Sequence, residues 1–163
     1  MIRIQCDLVE YAYEDGRQGV RRADLTLDLS RIRPGCWSGE IRLEMPGCRI
    51  SCLSEFFRRD ICRFMQELAS LHDTLRGSAC LLDPDEGQTC LYFAVADSAR
   101  GRIAVSGRMR AFFYAAGLPT QETMLPEDMR GGVHVAFGGL QVHHSSLPGL
   151  IRSLGDLLDN SGT

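Results

Sequence analysis

No apolar run in this 163-residue chain approaches the roughly 20 residues that a membrane-spanning helix needs. The N-terminus, MIRIQCDLVE, lacks the basic start and apolar middle of a signal peptide, so the expected location is cytoplasmic. Lysine is absent, and all 18 basic residues are arginine. That reads as a coding bias, although the planar arginine fork suits carboxylate pairing at an interface. There is no basic excess. The formal charge is −3 with the acids dispersed, which argues against a nucleic-acid binder and suits a partner with basic patches.

Metal and nucleophile signatures are also missing. The seven cysteines form no C-x-x-C, and their odd number without an export signal implies reduced thiols. Cys48 and Cys52 give one C-x-x-x-C with no second ligand pair, so they read as small buried hydrophobes. No G-x-S-x-G elbow occurs. Gly131, Gly132, Gly138 and Gly139 do not precede a phosphate-binding helix, and read as strand and bulge glycines. Asp83, Asp85 and Glu86 lack calcium-loop spacing and read as a solvated turn. The single tryptophan, Trp37, either anchors a loop onto the core or meets a partner.

What the chain does have is alternation. Residues 2–13 and 20–30 alternate apolar and polar side chains around Asp15-Gly16, as a hairpin does. IRLEM and a short CRIS strand follow, joined at Pro46-Gly47. Leu53, Phe57, Ile61, Phe64, Leu68, Leu71 and Leu75 then step by three and four, which predicts an α-helix of about six turns. Arg58, Arg59, Arg63, Gln66, Glu67, Ser70 and Asp73 fall off that stripe. Ser51 or Ser54 is the expected cap, and Gly77 the stop.

Strands are predicted again at 78–82, 89–96, 102–114 and 133–137, with 115–130 as a surface loop and a bulge at Gly138-Gly139. Arg102, Arg108 and Arg110 share the polar side of one strand and read as a solvated face. Leu147, Leu150, Ile151, Leu154, Leu157 and Leu158 form a second amphipathic stripe, and the last few residues fray. No internal repeat is visible. The expectation is a single α+β domain over 1–163. It has a twisted antiparallel sheet of about seven strands, with a long central helix and a shorter C-terminal helix packed on one face.

The stretch Val142-His143-His144-Ser145-Ser146-Leu147-Pro148 decides whether an enzyme is expected. Ser145 or Ser146 fits a helix N-cap, and Pro148 fits a first turn. Adjacent histidines in extended chain point to opposite faces and rarely share a metal. With only His72 and His134 elsewhere, the stretch reads as a strand-to-helix junction. No catalytic, cofactor-binding or metal residue is assigned, and the reading is non-catalytic.

Trp37 before a strand, Asp60-Ile61-x-x-Phe64-x-x-x-Leu68-x-x-Leu71-x-x-x-Leu75-x-Gly77-x-Ala79, Gly101-x-Ile103-x-Val105-x-Gly107, and a Leu147-containing junction together resemble the WapI-type immunity proteins of bacterial polymorphic-toxin systems. The resemblance covers roughly residues 35–158. Where that family often carries an Asp-Gln-Ser/Thr-like run before the final helix, this chain has His143-His144-Ser145. The resemblance implies a cytoplasmic immunity protein, monomeric or weakly dimeric, that binds and blocks a cognate toxin domain without a cofactor. It implies no direct contact with membrane or nucleic acid, and it names no partner-binding residue. The alternative is a small α+β secretion or folding chaperone.

Overall fold

The computed structural model describes residues 1–11, 18–45, 48–82, 89–111 and 133–159. The alternating N-terminal segments form four strands: β1 Ile2–Tyr11, β2 Gln18–Arg33, β3 Cys36–Met45 and β4 Cys48–Phe57. They pair antiparallel in sequence order. Helix α1, Arg58–Thr74, follows. A second antiparallel run comprises β5 Ser78–Leu82, β6 Thr89–Asp97, β7 Arg102–Ala111 and β8 Val133–His143. Helix α2, Leu147–Asp159, ends it.

The architecture is α+β, with one eight-stranded sheet in the order β4-β3-β2-β1-β8-β7-β6-β5. The expected count of about seven is one short. The chain therefore builds the same unit twice, a four-stranded meander and then a helix, although no sequence repeat announces it. The two meanders meet at β1 and β8, where among the described residues Asp7↔Gln141 and Leu8↔Leu140 pair. Arg102 of β7 reaches over this seam to Asp7 at 3.0 Å.

Helix packing is crosswise. Helix α1 packs chiefly on β5 of the second meander and also touches β4 of the first, while α2 packs chiefly on α1 and touches β1 of the first. Ile61, Phe64, Leu68 and Leu71 of α1 are fully buried, as are Leu25, Leu27, Ile41 and Leu43 of the first meander and Leu81, Leu91, Phe93, Ile103 and Val105 of the second. These residues belong to one core that spans both meanders. Phe64 and Phe93 join helix to sheet, with ring centroids 5.7 Å apart at 56°. The sheet also curls, bringing β4 against β7 and Ser54 Oγ within 3.7 Å of Cys90 Sγ on β6.

The expected helix start is corrected. The stripe includes Leu53 and Phe57, but both lie in β4. Cys52, Ser54 and Phe56 are buried while Leu53 is 69% exposed, so this segment obeys a period of two. Neither Ser51 nor Ser54 caps α1. Phe57 holds the N-cap position with no side-chain bond, and the Arg58 amide donates to Gly35 O at 2.9 Å. A turn carbonyl thus satisfies one of the donors a helix start leaves unpaired. At the other end Leu75 is left-handed, at φ 48°, and Gly77 follows at φ 81°.

The bulge at Gly138-Gly139 is present. Val105 pairs with Leu140 and Gly107 with Phe137, so two residues of β8 face one of β7, with Gly139 at φ 75°. The outer strand β5 is covered at one point, because its Cys80 amide donates to Glu67 Oε2 of α1 at 2.8 Å. Among the described residues, no helix is long and apolar enough to cross a membrane. The expected turn at Asp15-Gly16, the 115–130 loop and the frayed terminus lie outside the described residues.

Leu68 lies at the centre of the α1 stripe and is completely buried. Leu68→Ala is expected to cost about 2–5 kcal/mol, read as a lower midpoint in urea unfolding with an unchanged slope.

Candidate functional site

Two places concentrate polar chemistry: the histidine junction and the outer face of the first meander.

At the junction, β8 stops at His143 and a 3₁₀ turn runs from His144 to Ser146 into α2. The turn breaks the strand alternation, so the two rings do not diverge as expected. Their centroids lie 4.5 Å apart. His72, from the last turn of α1, stacks on His144 at 5.5 Å. His72 Nδ1 lies 3.2 Å from the His144 carbonyl, which can only accept, so Nδ1–H is the donor. Sequence spacing gave no sign of the third ring, because 72 residues separate the pair.

The cap bond comes from neither serine. His143 Nδ1 accepts from the Ser145 amide at 3.3 Å and lies 2.8 Å from Ser145 Oγ. As an acceptor Nδ1 is unprotonated, so the neutral ring carries its proton on Nε2. Pro148 sits in the first turn of α2, as expected. The rings rest on Gly101, whose amide and carbonyl close the β6–β7 turn onto the junction: it donates to Ser98 O at 3.3 Å and accepts from the His144 amide at 2.8 Å. Gly101 has φ 62°, and a Cβ there would run into His144 Cδ2. Glycine is therefore required on both counts.

A hydroxyl 2.8 Å from an imidazole is within nucleophile–base reach. Here, however, the Nδ1 lone pair also serves the Ser145 amide. Among the described residues no carboxylate hydrogen-bonds to His143 Nε2 to orient the ring, and no group of three or more His, Cys, Asp or Glu side chains is placed to hold a metal ion. The site acts as a cap that locks α1, the β6–β7 turn and α2 together.

The other sequence candidates are dispersed. Cys48 is exposed and Cys52 is buried on the inner face of β4. Trp37 is buried at 1% exposure, so it is a core anchor. Arg102 holds Asp7, and Arg108 is exposed on the outer face; the side chains of Arg110 and His134, like all of Asp83, Asp85, Glu86, Gly131 and Gly132, lie outside what is described. Asp60, which the sequence marks only within a hydrophobic motif, is buried with Oδ2 lacking a hydrogen bond and Oδ1 3.4 Å from Arg63. A carboxylate in the first turn of a helix gains from the macrodipole, and that position was the available signal.

On the outer face of the first meander, register sets the chemistry. Carboxylates from Asp7, Asp24, Asp28, Glu40, Glu44 and Glu55 outnumber the guanidiniums of Arg3, Arg22, Arg42 and Arg49. Asp24 lies directly opposite Glu44, and Asp28 directly opposite Glu40. Like charges so placed destabilise a sheet. Neighbours offset this. Arg3 forks onto Asp24 at 2.6 and 3.1 Å, Arg49 meets Glu44 at 3.1 Å, Arg42 meets Glu40, and the N-terminal amine meets Asp28 at 3.3 Å. The Arg3 hydrogen bond holds the Asp24 carboxyl below the ordinary carboxylate range.

No family model, curated protein or solved structure matches this chain.

His143→Ala is expected to cost about 1 kcal/mol of stability in urea unfolding, with most of it recovered in His143→Asn, whose side-chain oxygen can accept the same amide. The thiols should also differ. Burial, then the Asp24 and Asp7 charges, push the Cys6 thiol up to about 12. In native protein at pH 7.5, iodoacetamide mass mapping is expected to label exposed Cys48 first and Cys6 last.

Proposed function

We propose that this chain is a non-catalytic immunity protein of a bacterial polymorphic-toxin system, and that it neutralises a basic toxin domain by docking it on the outer face of β1–β4. The observation that carries the reading is the pair of opposed carboxylates, Asp24/Glu44 and Asp28/Glu40. A sheet face selected only for stability would place opposite charges across these positions. Opposed acids concentrate negative potential on the outer surface of the first meander. That potential accelerates encounter with a basic partner and fixes its orientation. Covering a toxin's active site needs shape and charge complementarity and no reactive group. The resemblance to WapI-type immunity proteins points the same way, and the bacterial cytoplasm is the corresponding location.

The test takes the toxin domain encoded beside this gene. Isothermal titration is expected to give a tight one-to-one complex, and co-expression should rescue growth. The variant Asp28→Asn/Glu40→Gln should weaken binding at least tenfold while unfolding at equal or higher urea concentration. No complex, or equal affinity in the variant, contradicts the proposal.

A further inference from the structure

We propose that the N-terminal half of β1 is a second contact for the same toxin domain, which adds a short, neutral, extended segment to the sheet between Ile2–Gln5 and helix α2. This contact rests on the toxin reading and names the kind of toxin segment that occupies it.

Register places the opening. β8 pairs with β1 at Asp7↔Gln141 and Leu8↔Leu140, so the same ladder carried on would set Gln5 opposite His143. There β8 ends, and the chain turns through His144–Ser146 into α2. Over Ile2–Gln5 the strand has β2 on one side and, among the described residues, no strand on the other. In an antiparallel pair, alternate residues turn both N–H and C=O toward the partner strand. Two of these four residues therefore direct their ladder groups away from β2. Among the described residues no backbone hydrogen bond joins them to α2. The Ile4 carbonyl meets the Cys6 thiol at 3.8 Å, a weak bond that leaves a lone pair. A cavity of about 380 Å³ separates this segment from α2, lined by Met1–Gln5, Ser146, Gly149, Leu150 and Ser153. Gly149 gives it room, since a Cβ added there meets nothing within 4 Å.

The lining selects the occupant. Its charged groups are spent on β2: Arg3 forks onto Asp24, and the N-terminal amine meets Asp28. The other lining side chains are neutral, and Ser153 Oγ already donates to Gly149 O at 3.0 Å. A neutral chain with its own N–H and C=O groups matches that set, because main-chain hydrogen bonds supply the affinity in strand addition. The volume lies near the low end of the roughly 300–1,000 Å³ of ligand pockets, so the segment is short and turns small side chains toward α2. The toxin domain supplies it by continuity. It docks on the outer face of β1–β4, and β1 belongs to both surfaces.

Amide exchange and titration with the toxin domain encoded beside this gene test the contact. In the free protein, the amides of Ile2–Gln5 should alternate between slow and fast exchange. In the complex, the fast ones should slow at least tenfold. Gly149→Leu fills the cavity from a helical position where leucine is the better helix former. It should unfold at equal or higher urea concentration and bind the toxin domain at least tenfold more weakly. Uniform slow exchange of Ile2–Gln5 in the free protein, unchanged fast amides in the complex, or wild-type affinity in Gly149→Leu overturns the proposal. If Asp28→Asn/Glu40→Gln still weakens binding in those cases, outer-face docking stands and this contact alone falls. No complex with the wild type removes both.

Discussion

The fold depends on the exchange of helices between two meanders. Among the described residues the β1–β8 seam supplies two ladder pairs, and the Arg102–Asp7 pair beside it is about 40% exposed on both sides, worth at most about 1 kcal/mol. Each meander has one apolar face that water would otherwise reach. Burying Ile61, Phe64, Leu68 and Leu71, together with Leu147, Leu150, Leu154 and Leu158, in one core that spans both meanders removes that exposure. At roughly 1.5–3 kcal/mol for each large buried side chain, helix burial outweighs the seam several-fold. The histidine junction stands where the two helices meet the sheet. His72 leaves α1 and stacks on His144, which begins the turn into α2, and Gly101 lies beneath the rings of His143 and His144.

Most of the fold was legible because strand and helix write different periods. Leu25, Leu27 and Leu29 in β2 and the Leu147–Leu158 stripe in α2 needed no tertiary information. The Gly138-Gly139 bulge was legible because a one-residue phase shift moves every later side chain to the other face. Legibility failed where two periods coincide. Leu53 and Phe57 are four apart, which suits a helix, while Cys52, Ser54 and Phe56 alternate, which suits a strand. Pairing with β3 and the curl toward β7 decided for the strand.

The candidate surfaces were less legible, for a physical reason. Opposed carboxylates such as Asp28 and Glu40 lie twelve residues apart in sequence, and only strand register makes them neighbours. The histidine cluster has the same character, since His72 joins His143 and His144 through helix packing. A chemistry assembled by register leaves no motif. The charges of the outer face lie on the polar side of strands whose other side is mostly apolar, so charge and core burial fall on alternate residues.

The crosswise clamp is tested most directly by native-state hydrogen exchange on Leu150→Ala, which thins the contact of α2 with β1. If the clamp holds the halves together, amides of β3 and of β6 lose protection by the same amount, because both open in one cooperative event. Loss confined to β6–β8, with β3 unchanged, would show two independently stable halves and contradict the account.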